Sequence, residues 1–105
     1  MNYFAIPGIL KVDINPANLF KAIEKVTGIS KEVLCSPARQ RQIVEARYIF
    51  AYIIRKKTNL SLLEIGNLLN KNHSSIIFYN KQMDWFIKSD ENLINLYKKT
   101  LNQLC

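Results

Sequence analysis

Apolar residues recur three and four positions apart along most of the chain, and polar or helix-breaking residues interrupt them where helices are expected to start and stop. Asn15-Pro16 reads as an N-cap followed by proline at the first helical position, after which Leu19, Phe20, Ile23 and Val26 repeat until Gly28 ends the run. Ser30 to Leu34 fits one short helical turn before Cys35-Ser36-Pro37 interrupts. Ile43, Ala46, Phe50 and Ile53 or Ile54 then define a long helix to about Lys57. Ser61-Leu62-Leu63-Glu64 has the form of a capping box, in which hydroxyl and carboxylate satisfy each other's backbone N–H groups, and it opens a helix with Leu62, Ile65 and Leu69 as its stripe. After the polar break Asn70-Lys71-Asn72, a helix from about His73 to Lys88 places Ile76, Tyr79, Met83 and Phe86 on one face. Ser89-Asp90-Glu91 caps a last helix carrying Leu93, Leu96, Thr100, Leu101 and Leu104. No segment alternates with strand period over a useful length, and no Asn-Gly or Gly-Gly hairpin turn occurs. The expected fold is all-α, with five or six helices.

Composition narrows the class without changing that picture. The chain has 105 residues, enough for one domain, and 49% hydrophobic content with three Gly and three Pro excludes collagen-like, linker and disordered classes. Residues 1–14 lack the helical pattern and are read as an N-terminal extension to a helical domain over 15–105. The longest apolar run, Tyr48 to Ile54, falls far short of the ~20 residues of a membrane span, and no basic residues precede the apolar opening Tyr3 to Leu10. A cytoplasmic location is expected. Cys35 and Cys105 form no CxxC pair and read as reduced thiols, and His73 alone cannot hold a metal. Three Asp and five Glu are scattered without a close pair on one face, and no glycine-rich loop occurs, so neither catalysis nor a cofactor nor a small-molecule substrate is expected.

Charge points to a partner. The formal net charge is +7, and residues 37–58 hold most of it: Arg39, Arg41, Arg47, Arg55, Lys56 and Lys57 against Glu45 alone. A basic patch concentrated in one segment suits a polyanion such as nucleic acid or an acidic membrane surface, although a solvated helix face has the same composition.

Two helices separated by a three-residue polar turn make residues 61–70 and 73–88 a helix-turn-helix candidate, the second helix being the reading one. Any antiparallel pair in a bundle looks similar. The start of the second helix adds detail, since Asn72, His73, Ser74 and Ser75 all carry short or planar groups able to address base edges or phosphates. An ordinary N-cap cluster has that composition too.

Three stretches then coincide with a known pattern: Ala46-Arg-Tyr-Ile-Phe-Ala-Tyr-Ile-Ile-Arg55, Thr58-Asn-Leu-Ser-Leu-Leu-Glu-Ile-Gly66 and Asn72-His-Ser-Ser-Ile-Ile77. Together they resemble the C-terminal DNA-binding domain of the bacterial replication initiator DnaA, over roughly residues 17 to 101. The resemblance implies a helix-turn-helix in a Trp-repressor-like arrangement and binding to a short, asymmetric duplex, the DnaA box. It places Asn72, His73 and Ser74 at base-reading positions, with Ser75 supporting the helix start. Ile77 and either Leu62 or Leu63 are implied to reach thymine methyls, Arg39 the adjacent minor groove, where a narrow groove concentrates negative potential, and Arg47, Arg55 and Lys56 the phosphates. Arg41 is the second arginine of the same basic loop. Double-stranded DNA is the implied partner, with replication-initiation proteins as further ones.

Several departures bear on specificity. Asn-His-Ser-Ser stands where the family writes Asp-His-Thr-Thr, so a carboxylate becomes an amide that prefers adenine and two methyl groups disappear. The basic loop Ser36-Pro-Ala-Arg-Gln-Arg41 has only two arginines, and Ser36-Pro37 is placed to start the long helix early. The turn before His73 is one residue shorter and lacks the usual Gly pair. No Gly-x-x-x-x-Gly-Lys-Ser/Thr motif occurs, so the chain by itself is not an ATP-driven initiator. It is either a stand-alone relative that marks or occupies sites or a piece of a longer protein, and the starting Met with the distinct first fourteen residues leans toward the former.

Two other readings compete. Trp85, Phe86, Tyr97 and the leucines of 93–104 are compatible with a protein-binding groove, yet helical spacing in so short a chain assigns them to the core. A membrane-surface role would rest on Leu10 to Ile14 and Phe20 to Lys25, whose balanced charge argues against membrane association.

Overall fold

The computed structural model describes residues 14–104 as six helices: α1 (Pro16–Thr27), α2 (Lys31–Leu34), α3 (Arg41–Lys57), α4 (Leu62–Leu69), α5 (His73–Ser89) and α6 (Glu91–Leu104). No strand occurs among the described residues. Residues 1–13 of the N-terminal extension, Cys105 and most of the candidate membrane segment Leu10 to Ile14 lie outside them.

The expected caps are formed. Asn15 Oδ1 accepts from the Ala17 N–H, Ser30 Oγ from Val33 and Asp90 Oδ1 from Leu93, each satisfying a donor that the first turn of a helix leaves without a partner. Gly28 ends α1 in the left-handed region at φ 79°. The Ser61–Glu64 box is reciprocal, with bonds of 2.9 and 3.1 Å. The Ser61 backbone N–H donating to the Glu64 carboxylate, and secondarily the Ser61 side chain, hold the pKa of that carboxyl below its ordinary value.

The long helix α3 departs from its amphipathic reading. Every residue from Ala46 to Ile54 is buried, because α1, α2, α4 and α5 pack around α3 and leave its middle turns no solvent face. Aromatic contacts mark these seams: Phe20 stacks on Phe50 at 4.3 Å, Tyr48 lies against Phe86 at 6.0 Å, and Tyr52 meets Tyr97 edge-on at 5.5 Å. Leu19, Ile23, Ile65, Leu69, Ile76, Met83 and Leu93 complete the core, each buried side chain contributing about 1.5–3 kcal/mol.

Two expectations are corrected. Ser36-Pro37 does not begin α3, which starts only at Arg41. The Ser36 hydroxyl instead donates to the Val33 carbonyl and accepts from the Ala38 N–H, closing α2 rather than opening the next helix. Trp85 is not a core residue. It lies 67% exposed, two positions beyond buried Met83 and so roughly 200° around α5 from it, while Phe86 and Tyr97 are half-buried.

Candidate nucleic-acid interface

The α4–α5 turn is built from chemistry that replaces the missing glycine pair. Asn70 adopts the left-handed conformation (φ 57°, ψ 43°), which asparagine tolerates better than most side chains, and the Lys71 N–H closes back on the Gly66 carbonyl at 2.8 Å. Gly66 is required by that closure. A Cβ there would stand 2.5 Å from the Lys71 carbonyl oxygen, a backbone atom with little room to move. Asn72 caps α5, its Oδ1 accepting from the Ser75 N–H at 2.9 Å and the Ser75 hydroxyl at 3.1 Å.

His73 and Ser74 are exposed at the start of α5, and Ser75 is half-buried beneath the cap. At roughly 100° per residue, Ser74, Ile77, Phe78, Lys81 and Trp85 follow one another along the outer face. Ile76, Tyr79 and Met83 hold the inner face in the core. Leu63 on α4 is 62% exposed, whereas Leu62 is half-buried. Of the two leucines, Leu63 is therefore the free apolar tip.

Clefts with basic linings flank this face. One is lined by Arg39, Arg47 and Lys71 with Pro37, Ser75 and Tyr79, where the α2–α3 loop passes the start of α5. The other joins Arg55, Lys56 and Lys81 with Leu62, Ile77 and Asp84, where the end of α3 meets α4 and α5. Lys56 also lies over the Tyr52 ring at 4.7 Å. Arg39 is exposed in the loop. Arg41, with a side chain 80% exposed, reaches Glu45 at 3.2 Å and Asp90 at 4.0 Å, so part of its charge is answered within the chain.

Arg47 lies beneath the first cleft, only 3% exposed. Its Nε donates to the Leu34 carbonyl at 2.8 Å and its Nη1 to Ala38 at 2.7 Å. Its Nη2 donates to Ser36 at 2.6 Å and to Val33 at 3.4 Å. A single guanidinium thus gathers the end of α2 and the loop that carries Arg39.

The bacterial DnaA helix-turn-helix family matches residues 16–82, from the first residue of α1 into α5. The chain belongs to that family. It is similar to the chromosomal replication initiator proteins DnaA of Thermodesulfovibrio yellowstonii (33% identical over 85 residues) and Ureaplasma parvum (32% over 84), each alignment covering 80% of this chain. The DnaA of Borrelia garinii is 28% identical over 92 residues, 87% of the chain. The chain spans about a fifth of the length of these curated relatives. The DnaA helix-turn-helix is a DNA-binding and non-catalytic domain, in keeping with the sequence reading. No described helix is long and apolar enough to cross a membrane.

Within the DnaA pattern, two implied roles change. Arg47 does not face outward toward phosphates, because its donors are committed to four carbonyls inside the fold. Asn72 has both acceptor sites of Oδ1 occupied by Ser75, so it offers only amide N–H donors and not the donor–acceptor edge of a two-bond adenine contact. Sequence reasoning also missed residues. Lys81 was detectable, lying one and two turns beyond Ile77 and Ser74 on the outer face. Lys71 carried no such signal, since its place in the first cleft comes from the approach of a loop 35 residues away.

Proposed function

We propose that this chain binds double-stranded DNA at a DnaA-box-like site, with α5 in the major groove and Arg39 in the adjacent minor groove. The observation that carries this reading is the pair of basic clefts on either side of the exposed start of α5 in a DnaA helix-turn-helix. Cations beside a helix in the major groove position it on phosphates without reading sequence, as in the α3-side cleft, while the opposite cleft carries the exposed Arg39 of the minor-groove arm. His73 and Ser74 address base edges, Asn72 supplies an amide donor to an acceptor such as guanine N7, and Ile77 with Leu63 packs on thymine methyls. Arg55, Lys56 and Lys81 contact phosphates on the α3 side, and Arg41 adds long-range attraction. The biological setting is replication initiation or its regulation, consistent with the names of the relatives.

Fluorescence anisotropy with a DnaA-box duplex and a scrambled duplex, over a salt series, tests this reading. Selective binding is expected, with a log–log salt slope on the order of −3 to −6. Arg39→Ala should relax specificity at one end of the site. Arg55→Ala should weaken all sequences about equally and reduce the slope by roughly one unit. Equal behaviour of the two variants would refute the assigned roles, and absence of binding at low salt would refute the function. Trp85 favours a second reading, a protein-contact surface on outer α5, which a DNA-silent chain would bring forward.

A further inference from the structure

The end of α4 and the α4–α5 turn are tied to the end of α2 and the Arg39 loop by three bonds between segments distant in sequence. Lys71 Nζ donates to the Ser36 carbonyl at 2.8 Å, Asn70 Nδ2 to the Cys35 carbonyl at 3.4 Å, and the Cys35 thiol to the Leu68 carbonyl at 3.2 Å. The Ser36 carbonyl therefore receives two cationic donors, Lys71 from the turn and Arg47 Nη2 from α3. A carbonyl oxygen has two lone pairs, and both are used.

We propose that Lys71 is a positioning residue that locks the Arg39 loop to the start of α5, so that the minor-groove arm and the major-groove helix meet DNA at a preset spacing. The inference rests on the DNA-binding reading above and assigns Lys71 a task other than phosphate contact. Residues 36–40 have no regular secondary structure, and Arg39 lies exposed among them. Ordering such a segment only on binding would cost conformational entropy for each backbone unit fixed, whereas a loop already held in place avoids that loss. Arg47 ties the loop to α3 from beneath. Lys71 is the cation that ties it to the reading helix. A lysine serving only as a phosphate point charge keeps its ammonium in water, but this one is half-buried with Nζ on a carbonyl. Burial, with Arg47 nearby as the second cause, moves its pKa down, as expected for an ammonium drawn out of solvent by a structural bond.

The test uses the full chain as Lys71→Met, Lys71→Gln, Lys71→Arg, Arg39→Ala and the Lys71→Met/Arg39→Ala pair. Without DNA, amide hydrogen exchange should rise on the order of tenfold at Ala38, whose N–H bonds Ser36 Oγ, in both Met and Gln variants. Amides in the middle of α3 and α5 should keep their protection, showing that the fold persists, and arginine should restore Ala38. With a DnaA-box duplex, Lys71→Met should lower affinity while leaving the salt slope at the wild-type value. Its effect should largely vanish in the Arg39→Ala background, because a positioning residue has nothing to position once the arm is gone. Unchanged exchange at Ala38 in both neutral variants would overturn the lock. Additive affinity losses together with a slope reduced by about one unit would overturn it in favour of a phosphate contact. Should the wild-type chain not select the box, the DNA reading fails separately, and exchange at Ala38 then decides the lock alone.

Discussion

Replacing Arg47 separates a structural from a DNA-contacting arginine. Its guanidinium makes four hydrogen bonds to the carbonyls of Val33, Leu34, Ser36 and Ala38, the one to Leu34 fully buried and the others partly so. Hydrogen bonds to a charged group contribute about 1.5–3 kcal/mol each in isolation, and a buried carbonyl left unpaired costs about 1–3 kcal/mol. Water can reach the partly buried carbonyls once the side chain is removed, so the losses do not add in full. Arg47→Met should destabilise the domain by about 3–4 kcal/mol, a large share of the roughly 5–15 kcal/mol typical of folded domains. At about 4–8 °C per kcal/mol for domains near this size, Tm should fall by roughly 12–30 °C. Arg47→Lys keeps the charge but has one nitrogen where the guanidinium spreads three, so it should recover less than half of the loss. Thermal and urea unfolding followed by circular dichroism measure both variants, with salt-dependent anisotropy below the transition. A methionine variant within a degree or two of wild-type Tm, with its salt slope reduced by about one unit, would refute the structural role and restore Arg47 as a phosphate contact.

Other expectations follow from single contacts. Gly66→Ala sets a methyl against the Lys71 carbonyl and should cost about 1–3 kcal/mol in urea unfolding while weakening DNA binding through a displaced turn; an unchanged midpoint would contradict the close approach. Trp85→Ala should change stability by no more than about 0.5 kcal/mol, since an exposed ring removes no core contact, whereas about 3–5 kcal/mol would show it to be packed. Burial raises the Tyr48, Tyr79 and Tyr97 phenol pKa values above 10.0; for Tyr79 the nearby Arg47, Ser75 and Arg39 act in the opposite direction without reversing the shift. The folded state therefore holds these protons more tightly, so their contribution is complete below pH 10 and is lost as pH rises through the folded values. Urea midpoints should fall across that alkaline range, and a flat profile would contradict the burial of these hydroxyls.

Much of this domain could be read locally. Helix boundaries at Asn15-Pro16, Gly28, Ser61 and Asn72 depend on caps formed within three or four residues, so short-range chemistry specified them. Helix α5 and its exposed Ser74 were legible for the same reason, because the period of α5 separates Ile76, Tyr79 and Met83 from the outer face. Helical spacing in a short chain groups Trp85 with Phe86 and Tyr97 in the core, although its position two residues beyond Met83 already places it outside. The DNA-binding assignment also drew on the Ser-Leu-x-Glu-Ile-Gly and Asn-His-Ser-Ser motifs, whose meaning lies in the resemblance and not in the local pattern.

Local pattern along the chain therefore specified the helices, their caps, the concentration of charge in residues 37–58 and the family. Tertiary structure alone decided which charges are available. Arg47 and Arg55 stand on the same helix, yet the first is enclosed by α2 and its loop while the second emerges beyond the packed middle of α3. Lys71 is directed by a carbonyl 35 residues earlier in the chain. Periodicity fixes the direction of a side chain around its own helix axis. Its burial and hydrogen-bond partners depend on what packs there, and that is set by contacts between segments far apart in the chain.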